Sequence, residues 1–341
     1  MVRVRATIGL LAAAGLGLLL VSGGSATDPR TPAPLPGLPP PFLGTAAVGS
    51  GGLTAAVDSY GDVIDLRSGP AGRGLIDNPS DRQAAGTVAP TTGIVPRVRL
   101  GNGPWLPPWR ADSVSQRYLP GTNVVRTVAR FGNKRSVLTA GAGATSLAVV
   151  IAVSGAGAPS VSVSVADGVR CAREARAGRL DLLCSVGRAV PPVPGAAAED
   201  VHGRCTRLLR AAAARDRRWL ARAHPLGPGA PAWARAMYRR SLLTLRALTD
   251  RRTGAVAAGA RDDWAYVWPR DASTAALAYA AAGYGTEARQ VAGFLSRLDL
   301  AAAARFEGDG RPIPGRAAQG DAAGWVALAN RSARWIFPRM A

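Results

Sequence analysis

Apolar residues between Thr45 and about Gly187 come in short alternating or β-branched runs, cut by Gly, Pro, Asp and Asn. Examples are LTAAVDSYGDVIDLR, IVPRVRLG, NVVRTVARFG, KRSVLTAG, TSLAVVIAVSG and SVSVSVADG. A period of two puts successive side chains on opposite faces of a strand, so this pattern predicts an antiparallel β-sandwich of roughly seven or more strands. GAGATS (141–146) superficially resembles a phosphate-binding turn, but its third glycine is missing and a strand-like run follows, so it is expected to be a plain turn.

From about Ala196 the period lengthens. Glu199 to Ala223 is helical in composition and is stopped by HPLGPGAP (224–231). In the next helix Trp233, Met237, Leu242, Leu245 and Leu248 fall near one face, with arginines expected on the other. Further helices are predicted over Asp271–Ala282, with Gly283 as its stop, over Thr286 to about Leu298, and over Asp321 to about Arg334. The fold class expected is therefore multidomain β + α. Its organisation is a signal peptide (1–26), a Pro-rich linker (27–43), a β-sandwich (44–190), a linker helix (191–231) and a helical region (232–341).

The amino terminus carries positive charge in MVRVR, then an apolar run from Ala6 to Val21, with Gly24 and Ala26 placed for cleavage after Ala26. This predicts export, to the medium or the cell envelope. The run approaches the ~18 residues that can span a bilayer, so an uncleaved anchor is the alternative and the one membrane contact expected. The spacer DPRTPAPLPGLPPPF (28–42) should form a semi-rigid tether.

Forty-two basic against 22 acidic residues give a net charge of +20, carried almost wholly by arginine. The arginines are dispersed through an Ala-, Gly- and Pro-rich chain with no aromatic-interleaved basic module, so compositional bias accounts for them and no nucleic-acid partner is expected. Three cysteines allow one internal disulfide, and Cys171 with Cys184 would close a short loop, leaving Cys205 free. With His202 and His224 the only histidines, neither a metal site nor a histidine triad is expected, and no cofactor is implied.

DDWAYVWPRDAS (262–273) stands out because its aromatics and charges exceed what a helix start requires. Asp271 would serve as the N-cap. A sugar ring has apolar C–H faces and a polar edge, so its site needs flat aromatic walls and fixed hydrogen-bonding groups. Trp264, Tyr266 and Trp268 could supply the walls, Arg270 a multi-donor fork and Asp271 an acceptor. The plainer alternative makes the aromatics core, and the Arg-Asp pair a surface contact and a cap worth ~1 kcal/mol.

Residues 239–273, with the Y-x-W-x-R-D core at Tyr266, Trp268, Arg270 and Asp271, resemble the start of the catalytic domain of inverting glycoside hydrolases of the glucoamylase and glucodextranase type. QGDAAGWVALA (319–329) is similar to that family's Q-x-D segment, and residues 46–66 and 116–127 are weaker echoes of its sandwich. The resemblance implies a sandwich followed by an (α/α)6 barrel, and an α-glucan or α-glucoside substrate, trehalose included. It also implies that Arg270 and Asp271 hold a terminal glucose bordered by Trp268, with Gln319 and Asp321 nearby. Arg316 loosely matches the family's arginine before Q-x-D.

Inverting hydrolysis needs two carboxyl groups roughly 6.5 to 9.5 Å apart, one protonated and one ionised. The family's two glutamates lie well beyond the Q-x-D helix, whereas this sequence stops at Ala341, and none of Glu287, Asp299, Glu307, Asp309 and Asp321 sits in a matching segment. The expectation is an incomplete barrel with substrate-binding groups but no catalytic residues, from a truncated glycosidase gene. A non-catalytic exported carbohydrate-binding or envelope protein is the alternative, and a basic surface-binding protein a third.

Overall fold

The computed structural model describes residues 45–72, 74–77, 93–155, 160–165, 169–185, 200–260 and 264–335. The expected signal peptide, the Pro-rich linker and Asp262 lie outside the described residues. Strands β1 (Thr45–Gly49), β2 (Thr54–Asp58), β3 (Val63–Arg67), β5 (Ile94–Arg99) and β11 (Ser160–Val165) form one sheet in that order. Strand β4 (Gly74–Asp77) joins it on β3 and β6 (Trp105–Leu106) on β5. The second sheet runs β12 (Arg170–Arg176), β13 (Arg179–Ser185), β10 (Ser146–Ser154), β9 (Lys134–Ala142), β8 (Val125–Phe131) and β7 (Ser113–Tyr118). Every pairing is antiparallel.

Alternation fixes which residues meet between the sheets. In β8 Val125, Thr127, Ala129 and Phe131 are buried, while Arg126, Val128 and Arg130 face outward. Leu147, Val149 and Ile151 of β10 and Leu180 and Leu182 of β13 pack with Val48, Ala55, Val57, Leu66 and Ile94 of the facing sheet. Each such leucine, isoleucine or valine contributes about 1.5–3 kcal/mol by leaving water. GAGATS forms the tight connection between β9 and β10, as expected of a turn. Cys171 and Cys184 are directly opposite on β12 and β13 and form a disulfide, and Cys205 is a buried free thiol.

Helix α1 (Val201–Leu220) is capped by Asp200, whose side chain accepts from Gly203 N at 2.6 Å. Its first turns lie on the outer face of the second sheet, where Cys205, Leu208 and Leu209 cover Ala148, Val150 and Leu183. Strand β10 is thus buried on both faces, which explains why its sequence reads as an unbroken apolar run. The last turn of α1 instead places Trp219 and Leu220 in the core of the helical region.

Helix α2 (Ala232–Leu248) corrects one expectation. Leu242, Leu243 and Leu248 are buried, but Trp233 is 67% and Met237 41% exposed, because the first turns of α2 lie outside both cores. The arginines do not all face water either. Arg240 donates to Thr122 O at 2.8 Å and its guanidinium lies 3.7 Å from the Tyr118 ring centroid, while Arg246 is buried against Asp216. Sandwich and helices are locked by further bonds, among them Asn123 Nδ2 to Gly49 O and to Leu243 O, both 2.8 Å.

Helices α3 (Pro269–Ala281), α4 (Gly285–Leu295) and α5 (Ala322–Trp335) pack on one another. Buried Ala272, Ala275, Ala276 and Ala280 give α3 a thin face that lets its neighbours approach. Gly283, at φ +87°, ends α3, and a Cβ there would meet His224 Nε2 at 2.6 Å. Among the described residues no helix is long and apolar enough to cross a membrane.

Candidate functional site

The segment leading into α3 is extended, and it is held on both sides. Ala258 N donates to Tyr266 O at 3.0 Å and Gly259 N to Trp264 O at 2.7 Å, while Val267 and Phe306 exchange two backbone bonds of 2.8 and 2.9 Å. Gly259 has to be glycine, since a Cβ would meet Trp264 Cβ at 2.7 Å. Alternation along this stretch buries Ala265 and Val267 and turns Trp264 and Tyr266 the other way, Trp264 being 60% exposed. Of the three expected walls Trp264 is the open one, because Trp268 is only 7% exposed; the two indoles lie 6.4 Å apart at 31°.

The N-cap expectation is corrected. Trp268 is the cap residue, with extended backbone and no side-chain cap bond, and α3 begins at Pro269. Proline at the first helical position has its φ pre-set and lacks the N–H that would have no partner there. Asp271 falls in the first turn, where its charge complements the positive end of the helix. Although the residue is exposed at the surface, its pKa is raised, chiefly by desolvation of the carboxyl among the surrounding atoms and against the pull of Arg270 and its own backbone N–H.

Arg270 Nη1 donates to Asp321 Oδ2 at 3.0 Å, and Trp325 Nε1 donates to the same oxygen at 3.2 Å. These contacts join the start of α3 to the segment opening α5, although 51 residues separate Arg270 from Asp321. The Arg270–Asp321 pair is about half exposed on each side, so its intrinsic contribution to stability is small. The connection between α4 and α5 returns beside the cluster, with Arg305 4.8 Å from the Tyr266 ring centroid and Arg316 5.2 Å from that of Trp268. Trp268 Nε1, Ser273 Oγ and Gln319 Oε1 are buried without a hydrogen-bond partner.

All seven expected residues therefore lie on the start of α3, the stretch before it and the start of α5. Direct contacts link Trp264 with Trp268 and Arg270 with Asp321. Sequence reasoning missed Trp325 and Arg305. Trp325 was discoverable, being one helical turn beyond Asp321, whereas nothing in the spacing pairs Arg305 with Tyr266. Among the described residues no group of three or more His, Cys, Asp or Glu is placed to hold a metal ion.

An antiparallel sandwich, a helix laid across it, and helices entered through an aromatic Arg-Asp segment make a two-part β + α fold. Residues 232–304 match the model of glycosyl hydrolases family 15. Among solved structures it is similar to a bacterial glucoamylase complexed with acarbose, at 10% identity and a TM-score of 0.57. That alignment covers 82% of this chain and 55% of the other, so the chain spans about half the length of that structure. No curated protein matches the sequence.

Proposed function

We propose that this chain is the sandwich and leading helices of an exo-acting, inverting glycosidase (α/α)6 barrel, and that it holds the terminal glucose of an α-glucan or related α-glucoside. The observation that supports this most is the Arg270–Asp321–Trp325 contact, which brings the two segments resembling the family's sugar-binding motifs side by side. Arg270 has further N–H donors beyond the one given to Asp321, and the Asp271 carboxylate is an acceptor. Trp264 offers an open apolar face, and Tyr266, Trp268 and Gln319 complete the proposed binding set.

No hydrolytic step is assigned to these residues. Glu287 accepts from Trp219 Nε1 at 2.8 Å and Arg222 at 2.7 Å, a structural role, while Asp299 and Asp309 cap turns through Ala301 N and Arg311 N. Export, through the amino-terminal segment, belongs to the same proposal, and amino-terminal sequencing of the secreted form tests it.

The binding test is titration calorimetry with maltose and with acarbose, the ligand of the similar bacterial glucoamylase. Saturable binding is expected, with Arg270→Ala weakening it by about 10- to 100-fold, the range for a hydrogen bond from a charged donor. Unchanged affinity in that variant removes the site assignment. Glucose release from maltose, lost in Asp271→Ala, would instead make the chain a working enzyme; binding without release is the outcome expected here.

A further inference from the structure

The outer face of the second sheet is covered by α1 over β12, β13, β10 and one end of β9, but not over most of β7 and β8. The strand registers set a distinct pattern on that remainder. Arg117 of β7 is directly opposite Arg126 of β8, and Arg130 of β8 is directly opposite Arg135 of β9. Alternation places all four on one face: in β8 Arg126 and Arg130 flank Val128, and Val128 is opposite Val137 of β9. The result is a flat patch with two half-buried valines at its centre and guanidinium groups at its corners.

Side chains directly opposite across two strands have Cβ atoms about 4.5–5.5 Å apart, and like charges there repel. The two pairs stand roughly 13 Å apart along β8, four residues at about 3.3 Å each. None of the four arginines forms an ion pair with a described residue, and the Nε of Arg135 is buried without a hydrogen-bond partner. Arg176 and Arg179 at the other end of the same sheet are also directly opposite one another, but each is neutralised, Arg176 by Glu174 and Asp200 and Arg179 by Asp181. The nearest acid in sequence, Asp112, accepts instead from Gly132 N at 2.5 Å. What sets the β7–β9 pairs apart is that both lack the acidic partners that neutralise Arg176 and Arg179.

We infer that this face of the sandwich binds an acidic polysaccharide, a polymer bearing carboxylate or sulfate groups. Each arginine pair supplies two forks to one anionic group. The valines between them accept the apolar face of an intervening sugar ring. The patch has no aromatic side chain on which a base could stack, the feature that single-stranded nucleic-acid surfaces rely on. The glucose-binding residues are on another part of the chain, so this inference stands or falls independently of the proposed function.

The test measures retention of the full chain on polygalacturonate and on dextran sulfate by affinity electrophoresis, with neutral dextran and a poly-dT oligonucleotide as comparisons. The variant Arg117→Ser/Arg126→Ser/Arg130→Ser/Arg135→Ser is set against one with the same loss of charge elsewhere, Arg210→Ser/Arg218→Ser/Arg239→Ser/Arg311→Ser. Far-UV circular dichroism and urea unfolding check that each variant is folded. The sheet variant is expected to lose about tenfold or more in affinity for the acidic glycans and to show a shallower salt dependence, while the control loses less than about threefold. Equal losses in both variants overturn the inference, since charge alone would then explain retention. Tighter binding of the oligonucleotide than of either glycan, lost in the sheet variant, also overturns it in favour of nucleic acid. If the quadruple variant does not fold, the double variant Arg117→Ser/Arg130→Ser, which leaves one arginine in each pair, is measured by the same criteria. A loss under about twofold there overturns the inference.

Discussion

Asp216 is the point at which the two halves of the molecule are most exposed to a single substitution. It lies on α1, where Oδ2 accepts from Asn123 N at 2.7 Å and Oδ1 from Arg246 Nη1 at 3.2 Å; both charged side chains are under a tenth exposed. Burial is the leading cause that raises the pKa of Asp216, and the same cause pulls Arg246 down to about 10. The two shifts agree: desolvation outweighs attraction for both groups, so the pair is near break-even against apolar substitutes, yet each partner depends on the other.

Asp216→Ala strands a buried guanidinium and a buried N–H, and it should cost about 3–5 kcal/mol. Asp216→Asn combined with Arg246→Met keeps an acceptor for Asn123 and removes the charge, and it should lie within about 1 kcal/mol of the parent. The pH dependence follows from the sign of the shift. A carboxyl whose folded pKa is raised binds its proton more tightly when folded, so its contribution falls as pH rises from the unfolded value, about 3.9, through the folded one. The Asp216→Asn/Arg246→Met variant should therefore gain on the parent across that window. Urea unfolding followed by tryptophan fluorescence measures both effects, because Trp219 is stacked on Tyr284 at 4.0 Å in the adjoining core. A loss below about 1 kcal/mol for Asp216→Ala, or a double variant as unstable as the single one, would refute the desolvation argument.

Three further outcomes are expected. Because the folded pKa of Asp271 is raised, sugar affinity should rise with pH through that value as the carboxylate forms, and Asp271→Asn should flatten the profile; calorimetry at several pH values decides this. The Cys205 thiol is pushed up to about 12, first by burial and next by Asp181, so native protein at pH 8 should show no titratable thiol by Ellman assay; one per chain should appear in denaturant, and fast native reaction would refute the burial. Gly254→Ala should destabilise by at least about 2 kcal/mol in thermal unfolding. The residue has φ +82°, and a Cβ would meet Gln290 O at 2.2 Å.

Strands were the most legible part of the sequence, since the outward positions of β7 and β8 carry Ser, Arg and Val while the inward ones are apolar or small, apart from Gln116, which donates to Thr127 Oγ1. Helix ends were legible where one residue does one job, as at Gly283 and at the proline break before α2. What periodicity could not supply was the identity of the surface a helix meets. Trp233 and Met237 share a face with Leu242 by count but project beyond both cores, and Arg240 and Arg246 read as solvent residues in so arginine-rich a chain. Asp271 looked like a cap because its side chain suits one, but the preset φ of Pro269 starts the helix two residues earlier. The site residues were legible as a cluster in sequence, whereas the Arg270–Asp321 contact spans a connection whose path no local rule gives.

Helix α1 belongs to two interiors at once, its first turns to the sandwich through Cys205, Leu208 and Leu209, its last to the helical bundle through Trp219 and Leu220. Neither half can be cut away at this helix without uncovering apolar surface on the other. Recombination that exchanged one half for a foreign domain would have to carry this helix along and re-match both of its faces, so the two parts are bound to be inherited as a single unit.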